Sequence, residues 1–219
     1  MEGYIARSPN ANATWTIIGL NLLIGFFTEG LRYSSPKALE EIILRFSAIP
    51  IFTMKLIEPY RLITSMFLHG GFIHLFLNMF ALFIFGPDIE RVLGKVRYLF
   101  LYFFSGVAAD FAHAYFIASL YPHPRLLITP SIGASGAIYG VMAAFAVLFP
   151  FRRIMIFVGF PFIAPALVAI AAMAMLQTLY ALFDPFSQVA YAAHIGGFLA
   201  GLILTMIYKP SLKKVRFYL

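Results

Sequence analysis

The chain has 219 residues, of which 62% are hydrophobic and 11% are charged, with a formal net charge of +7 and no cysteine. Its mean hydropathy of +0.88 predicts an integral membrane protein, and the lack of cysteine excludes disulfides, zinc–thiolate sites and cysteine nucleophiles. The basic residues lie mainly beside apolar runs, so we interpret the charge as a membrane-topology signal and expect no nucleic-acid partner.

Six apolar stretches are predicted to cross the membrane. They must be helices, because an open strand edge in lipid would leave backbone amides without hydrogen-bond partners. The predicted spans are Ala11–Thr28, Met66–Gly86, Val96–Leu120, Ser135–Pro150, Ile154–Leu182 and Ala190–Tyr208. The expected fold class is an all-α polytopic membrane protein, with one six-helix domain over residues 11–208 and tails at 1–10 and 209–219.

Lysine and arginine are distributed unevenly over this topology. Six crossings place both tails on one side, where the tails and even-numbered loops carry ten of these residues against six on the opposite side. Because cytoplasmic loops are enriched in Lys and Arg, both tails are expected in the cytoplasm. We predict a multi-pass protein of a prokaryotic plasma membrane, in contact with lipid.

The first loop, Glu29–Ser65, is long but rich in Ile, Leu and Phe. The apolar pattern of Ala38–Phe46 predicts an interfacial helix at the outer boundary of the membrane. The alternative is a simple solvated connector.

Polar side chains at membrane depth are costly, so each one is a functional candidate. In the second span, His74 and Asn78 share a face one turn apart. His69 lies nearer the outer interface and is interpreted as a structural hydrogen-bond donor. In the third span Asp110 and His113 share a face, and a local pair that ties helices together is favoured over a proton pathway.

Three polar residues from three spans are predicted to lie at one depth. At about 1.5 Å per residue, Ser135 and His194 lie roughly 22 Å from the cytoplasmic boundary, and His74 lies roughly 21 Å from it. In a hydrocarbon core of about 30 Å, this level is beneath the outer surface. A serine beside a histidine suits nucleophilic catalysis, because the imidazole can accept the hydroxyl proton and return it to the leaving amine. Gln177, in the fifth span, is also polar but has no predicted role.

A developing oxyanion needs fixed hydrogen-bond donors. The candidates are the Asn78 amide, an N–H of His74 and the backbone N–H of Ser135. The turn Gly133–Gly136 opens the fourth helix, where free N–H groups favour negative charge, and its glycines permit close approach of a substrate.

The same residues have structural interpretations. Small residues such as those of Gly133–Gly136 are common at contacts between membrane helices, and a lone membrane histidine is often an interhelical hydrogen bonder. The shared depth favours chemistry over these alternatives. Gly197 and Gly201, which follow His194, are interpreted as helix packing.

Together the motifs resemble those of the rhomboid family of intramembrane proteases. His69–Asn78 resembles the second-span pattern His-x4-His-x3-Asn, and Gly133–Gly136 resembles the Gly-x-Ser-Gly nucleophile turn. Ala193–Gly197 resembles the Ala-His-x-x-Gly base motif, and order and spacing agree over most of the chain. Glu58–Arg61 is similar to the family's first-loop segment, with Tyr60 in place of the usual Trp.

The resemblance implies a rhomboid fold and a Ser-His dyad, with Ser135 as nucleophile and His194 as general base and acid. It suggests that the ring of Tyr139 packs against His194. No third acid is identifiable beside His194, so the imidazole must be oriented by packing.

The resemblance also implies His74 and Asn78 as oxyanion-side groups, with Gly133 and the backbone of Ser135 beside them. Glu58 and Arg61, like His69, are supporting residues of the first loop and its junction with the second span.

The expected activity is hydrolysis of single-span or other transmembrane protein substrates through an acyl-enzyme, without a metal or organic cofactor. A substrate helix is expected to enter laterally into a wet cavity open to the outer side, with the fifth helix or the loop Asp184–Gln188 as gate. One alternative is a transporter or channel with Asp110, His113 and His74 as a proton relay. Another is a noncatalytic rhomboid-like protein that binds membrane helices.

Overall fold

Ten α-helices and two small antiparallel strand pairs make up the described part of the chain. The computed structural model describes residues 2–4, 6–157, 161–184, 186–187, 189–212 and 214–216. The helices are α1 Asn12–Ser34, α2 Pro36–Phe46, α3 Pro50–Lys55, α4 Arg61–Thr64, α5 Phe72–Leu93, α6 Lys95–Leu120, α7 Pro124–Ile128, α8 Ser135–Leu148, α9 Ala166–Phe183 and α10 Tyr191–Tyr208. The strands are β1 Glu2–Tyr4, β2 Arg153–Phe157, β3 Pro161–Pro165 and β4 Lys214–Arg216, with β1 paired to β4 and β2 to β3. Single 3₁₀ turns occupy Ser65–Phe67 and Lys209–Ser211.

The predicted polytopic helical fold is confirmed. Five helices, α1, α5, α6, α9 and α10, are long and apolar enough to cross a membrane, and α8 is a shorter apolar helix. Large apolar side chains such as Leu23, Phe27 and Ile73 point outward and are more than half exposed. Such a surface is suited to lipid, since a soluble protein would bury it.

The shortest of the six, α8, lies at the centre of the bundle. Its 14 residues rise about 21 Å, which is less than the roughly 30 Å of a hydrocarbon core. All of them are buried except Ser135, Tyr139 and Val147, which are half-buried. Because α8 is too short to cross the membrane, part of the irregular chain that leads into it must lie at membrane depth. Irregular backbone at that depth must be surrounded by protein instead of lipid.

Two ends of the bundle can be distinguished. The tail end holds the pair β1–β4, the start of α1 and the ends of α5, α8 and α10. The loop end holds residues 35–71, 121–134, 184, 186–187 and 189–190. Ser135 and Tyr191 begin their helices at the loop end.

Glycines bring α8 and α10 into backbone contact. A Cβ atom at Gly197 would overlap the carbonyl oxygen of Gly136, and one at Gly201 would overlap that of Gly140. Each pair is spaced by four residues, so one face of each helix is flat over a full turn. This contact fixes the distance between the first turns of the two helices.

A carboxylate from α5 completes the start of α1. Glu90 is buried, and its side chain accepts hydrogen bonds from the N–H of Ala13 at 2.9 Å, the N–H of Thr14 at 2.7 Å and the hydroxyl of Thr14 at 2.7 Å. The first N–H groups of a helix have no partner within it, and the positive end of the helix dipole favours an anion. Glu90 therefore caps α1 from another helix.

The first loop is folded around Arg61, which is buried. Its guanidinium donates to the carbonyl oxygens of Leu44 at 2.6 Å and Ser47 at 3.1 Å, and it forms an ion pair with Glu58 at 2.6 Å. Tyr60, which stands where the resemblance expects Trp, donates its hydroxyl to the carbonyl of Arg45 at 3.2 Å. These bonds cap the last carbonyls of α2, the helix predicted at Ala38–Phe46.

The fifth predicted span, Ile154–Leu182, is wrong in its first part. Residues 153–165 form the pair β2–β3, with 158–160 outside the described residues, and α9 begins only at Ala166. Pro161 and Pro165 lack an N–H donor and would break the helical ladder, so the apolar run divides there.

The second predicted span also differs, because α5 begins at Phe72 instead of Met66. Gly71 has φ +150°, a value that side chains rarely adopt, and it separates the 3₁₀ turn at Ser65–Phe67 from the helix. At its other end α5 continues past Gly86 to Leu93, with Pro87 inside the helix.

Candidate active site

Ser135 is the first residue of α8, and the chain before it is held by the first loop. Gly133 donates its N–H to the carbonyl of Ser65 at 2.9 Å, and Ser131 exchanges backbone hydrogen bonds with Ala48 at 2.7 and 3.1 Å. Gly133 has φ +129°, a conformation available mainly to glycine. The first loop thus fixes the turn that presents the serine.

His194 lies one turn into α10 and faces Ser135. The Nε2 atom of the imidazole is 2.8 Å from the Oγ atom of Ser135, within hydrogen-bonding distance. His194 is 9% exposed, whereas Ser135 is half-buried and retains access from outside the protein. The structure therefore brings together the two residues that the sequence pairs by depth.

Two aromatic rings hold the imidazole in place. Tyr139, one turn after Ser135, stacks on His194 with ring centroids 4.5 Å apart and an interplanar angle of 9°. Tyr191 meets the same imidazole edge to face at 6.3 Å. The plane of the imidazole is fixed by these contacts.

The second nitrogen of His194 has a partner to which the sequence assigns no role. Nδ1 lies 2.6 Å from the Oε1 atom of Gln177 on α9. The sequence marks Gln177 only as a polar residue at depth. Most of α9 is apolar on every face, and the adjacent polar residue is Thr178, so no periodic pattern shows which face of the helix is turned inward.

His74 lies on the other side of the Ser135 turn. Its Nδ1 accepts a hydrogen bond from the N–H of Gly70 at 3.2 Å, so in a neutral ring the proton is on Nε2. A Cβ atom placed on Gly133 would be 3.0 Å from that Nε2 and 3.7 Å from the Oγ of Ser135. The same Cβ atom would be only 2.8 Å from Cε1 of His74, so Gly133 leaves no room for a side chain and its backbone lies close to the ring N–H and to the serine.

Asn78 is buried one turn beyond His74. Its Nδ2 atom donates to the carbonyl of His74 at 2.8 Å. One of its two amide hydrogens is used in this bond.

His69 is buried beside His74, with ring centroids 5.2 Å apart. Neither ring nitrogen has a side-chain or backbone partner within hydrogen-bonding geometry in the part of the chain that the structure describes. Burial, together with the adjacent His74, lowers the pKa of His69 to about 4. His69 is therefore neutral at pH 7.

The predicted pairing of Asp110 with His113 is wrong. Asp110 instead accepts a hydrogen bond from the hydroxyl of Ser65 at 3.2 Å, which ties α6 to the first loop. Nδ1 of His113 has no partner among the described residues. Of the predicted gate loop Asp184–Gln188, Pro185 and Gln188 lie outside those residues.

Metal-ligating side chains do not cluster at this site. Across the described ranges, no three His, Asp or Glu side chains lie together as a metal site would require.

Comparison with known proteins agrees with these motifs. Residues 57–211 match the Rhomboid domain family. The mitochondrial Rhomboid protein 1 of Saccharomyces cerevisiae is 36% identical over 160 residues, which cover 71% of this chain and 43% of the yeast protein. Putative rhomboid protease YdcA of Bacillus subtilis is 32% identical over 150 residues, covering 68% of this chain and 67% of YdcA. Rhomboid protease AarA of Providencia stuartii is 30% identical over 213 residues, covering 89% of this chain and 72% of AarA.

The chain thus spans less than half the length of the yeast relative and about two thirds or more of the two bacterial ones. Similar proteins include one whose name marks it as an inactive rhomboid, so similarity alone does not establish catalysis. The matched region includes α4 to α10 and every residue of the site described above, and on this evidence the chain belongs to the rhomboid family.

Proposed function

We propose that this chain is an intramembrane serine endopeptidase that cleaves transmembrane segments of other membrane proteins. The observation that carries the proposal is the 2.8 Å contact between Ser135 Oγ and His194 Nε2. A hydroxyl in a bundle of apolar helices gains nucleophilicity only if a base accepts its proton, and this contact provides one.

The reaction follows from this contact. Ser135 Oγ attacks the scissile carbonyl carbon while its proton passes to Nε2 of His194. The tetrahedral intermediate then collapses, and the imidazolium gives the same proton to the leaving amine. A water molecule, deprotonated by His194, hydrolyses the resulting acyl-enzyme and frees Ser135.

The oxyanion of the tetrahedral intermediate is proposed to lie beside Gly133, in the space between His74 and Ser135. The Nε2–H of His74 borders that space, and the free N–H groups at the start of α8 lie beside it. The second amide hydrogen of Asn78 is a further donor on the same side. Each is a preorganised dipole in a site of low dielectric constant, where such donors contribute most.

The substrates are proposed to be membrane-embedded helices, because the serine lies beside the irregular end of a helix too short to cross the bilayer. Scissile backbone must be extended to be attacked, and irregular backbone is tolerated at depth only where protein or water supplies hydrogen bonds. The half-buried Ser135 at the loop end supports access of water from that side. With the tail end in the cytoplasm, the site opens to the outer face of the membrane.

Cleavage of single-span test substrates by the purified protein in detergent tests the proposal. Wild type is expected to cut, and Ser135→Ala and His194→Ala are each expected to lose cleavage by at least about 1000-fold, as in other hydroxyl–imidazole hydrolases. A fluorophosphonate probe should label wild type and leave Ser135→Ala unlabelled. Undiminished cleavage in either variant would contradict the dyad, and substrate binding without cleavage or labelling by wild type would indicate a noncatalytic binder.

A further inference from the structure

The geometry around His194 points to a positioning role for Gln177, and this inference rests on the proposed function. We propose that the side-chain carbonyl of Gln177 holds the imidazole proton on Nδ1, so that Nε2 presents its lone pair to Ser135. Gln177 touches neither the substrate nor the reacting atoms, and it acts through His194.

Both ring nitrogens of His194 are engaged in the plane of the ring. Nδ1 lies 2.6 Å from Gln177 and Nε2 lies 2.8 Å from Ser135, while Tyr139 covers one face. A neutral imidazole carries one proton, so the partner on one nitrogen decides the state of the other. With the amide oxygen toward Nδ1, that nitrogen is the donor and Nε2 is the acceptor that a general base requires.

The opposite arrangement would block the reaction. If the amide nitrogen of Gln177 faced the ring, it would donate to Nδ1, and the proton would then be on Nε2. Nε2 would donate to Ser135 Oγ and could not accept its proton. The orientation of the Gln177 amide therefore decides whether His194 can act as the general base.

An amide suits this position because it carries no charge. The acidic partner of a soluble catalytic triad would place a negative charge among apolar helices, where desolvation is costly. The carbonyl of Gln177 accepts from Nδ1–H without that cost.

The contact also joins α9 to α10 at the site. Of α9, only Ala166, Ala169, Ile170 and Ala181 are buried. One turn beyond Gln177, Tyr180 stacks on Tyr191 of α10 with ring centroids 5.1 Å apart. The amide is thus carried by a helix whose fully buried residues lie near its two ends, with Met173 partly buried against the core between them.

The test is the protonation pattern of His194, measured by ¹⁵N NMR on the full chain in detergent. The signals are assigned by comparison with His194→Gln, since the chain has five histidines. Wild type is expected to show a protonated Nδ1 and an unprotonated Nε2. Gln177→Leu should raise the Nε2–H population and lower kcat by roughly tenfold, the effect of one lost hydrogen bond. Gln177→Glu, which keeps an acceptor, should retain the wild-type pattern and a higher rate than Gln177→Leu, with a lower thermal unfolding midpoint because of the buried charge.

Thr178→Val is the matched control on the next residue of α9, and it should change neither quantity. Among the residues that the structure describes, the threonine hydroxyl bonds only to the carbonyl of Ala174. A wild-type ring protonated on Nε2, or an unchanged pattern in Gln177→Leu, would overturn the inference. The NMR measurement needs no turnover. A failure of the proposed protease activity would appear as absent cleavage by wild type, independently of the protonation pattern.

Discussion

Two groups of polar side chains in this protein differ in where their hydrogen-bond partners lie. Asn21, Thr205 and Asn78 each donate to a carbonyl four residues earlier in the same helix. His194 instead finds its partners on other helices, and the ring of His74 finds its partner in the turn that precedes α5. A hydrogen bond within one helix satisfies a polar atom locally. A hydrogen bond to another element fixes the orientation of the imidazole, which catalysis requires.

At the residue scale, His74→Ala should lower kcat about 100-fold with little change in KM. The ring N–H is proposed to act only on the oxyanion of the transition state, so its loss spares binding of the ground state. Rates are measured on a single-span substrate in detergent. His123→Ala, which removes an exposed loop histidine, should retain the wild-type rate. A wild-type kcat in His74→Ala would show that His74 does not stabilise the oxyanion.

Helix rise was sufficient to place Ser135, His194 and His74 at one level, because depth along a straight helix depends only on residue count. Rotation about the helix axis is a different quantity. For Gln177 it depends on the face that α9 turns to the bundle, and a helix that is apolar over most of every face does not encode that orientation. Partners distant in sequence, such as Ser65 for Asp110, were likewise not predictable from spacing.

At the element scale, the glycine contact between α8 and α10 sets the geometry of the dyad. Gly136 follows Ser135 directly, and Gly197 lies about one turn after His194. Since the backbones touch at these glycines, even one added methyl group must push the helices apart. The separation would be transmitted to a hydrogen bond of 2.8 Å.

Gly197→Ala is therefore expected to reduce cleavage at least tenfold and to destabilise the protein by about 1–3 kcal/mol, the usual cost of overpacking. Cleavage rate and thermal unfolding midpoint are the measurements. Gly19→Ala in α1, where a Cβ atom would meet nothing within 4 Å, should be neutral in both. Wild-type cleavage by Gly197→Ala would show that the dyad does not depend on this contact.

Most elements were predictable, since five of the six predicted spans correspond to helices. The larger differences in their bounds are in α5, which starts later than predicted and continues to Leu93, and in α1, which continues to Ser34. The exception, residues 154–165, is as apolar as the helices around it. Hydropathy measures transfer to lipid and not backbone conformation, so it cannot separate a hairpin from a helix. Pro161 and Pro165 carried the relevant signal.

At the scale of the whole molecule, the two ends of the bundle carry different charge. Arg7, Arg91, Arg97 and Arg152 lie at the tail end, where Arg152 forms an ion pair with Asp88. The loop end holds Lys and Arg together with the three glutamates Glu40, Glu41 and Glu58. The lysine and arginine excess at the tail end supports a cytoplasmic location for it.

Single introduced cysteines test this orientation without background, because the chain has none of its own. Arg125→Cys is at the loop end and Arg153→Cys is in β2 at the tail end, and both positions are exposed. In intact cells a membrane-impermeant maleimide should label Arg125→Cys only, and after permeabilisation it should label both. Labelling of Arg153→Cys alone in intact cells would show the opposite topology, with the tail end outside the cell.

The carboxylate of Glu90 has a consequence for biogenesis. Thr14 leaves the ribosome 76 residues before the side chain that satisfies its N–H and hydroxyl. Until α5 has been inserted, the N–H groups at the start of α1 must bind water in the headgroup layer, because amides without hydrogen-bond partners are not tolerated in hydrocarbon. Within this chain α1 is thus made before α5 but completed only after it, and a nascent chain that stops before Glu90 should leave α1 without its cap and open to quality-control proteolysis.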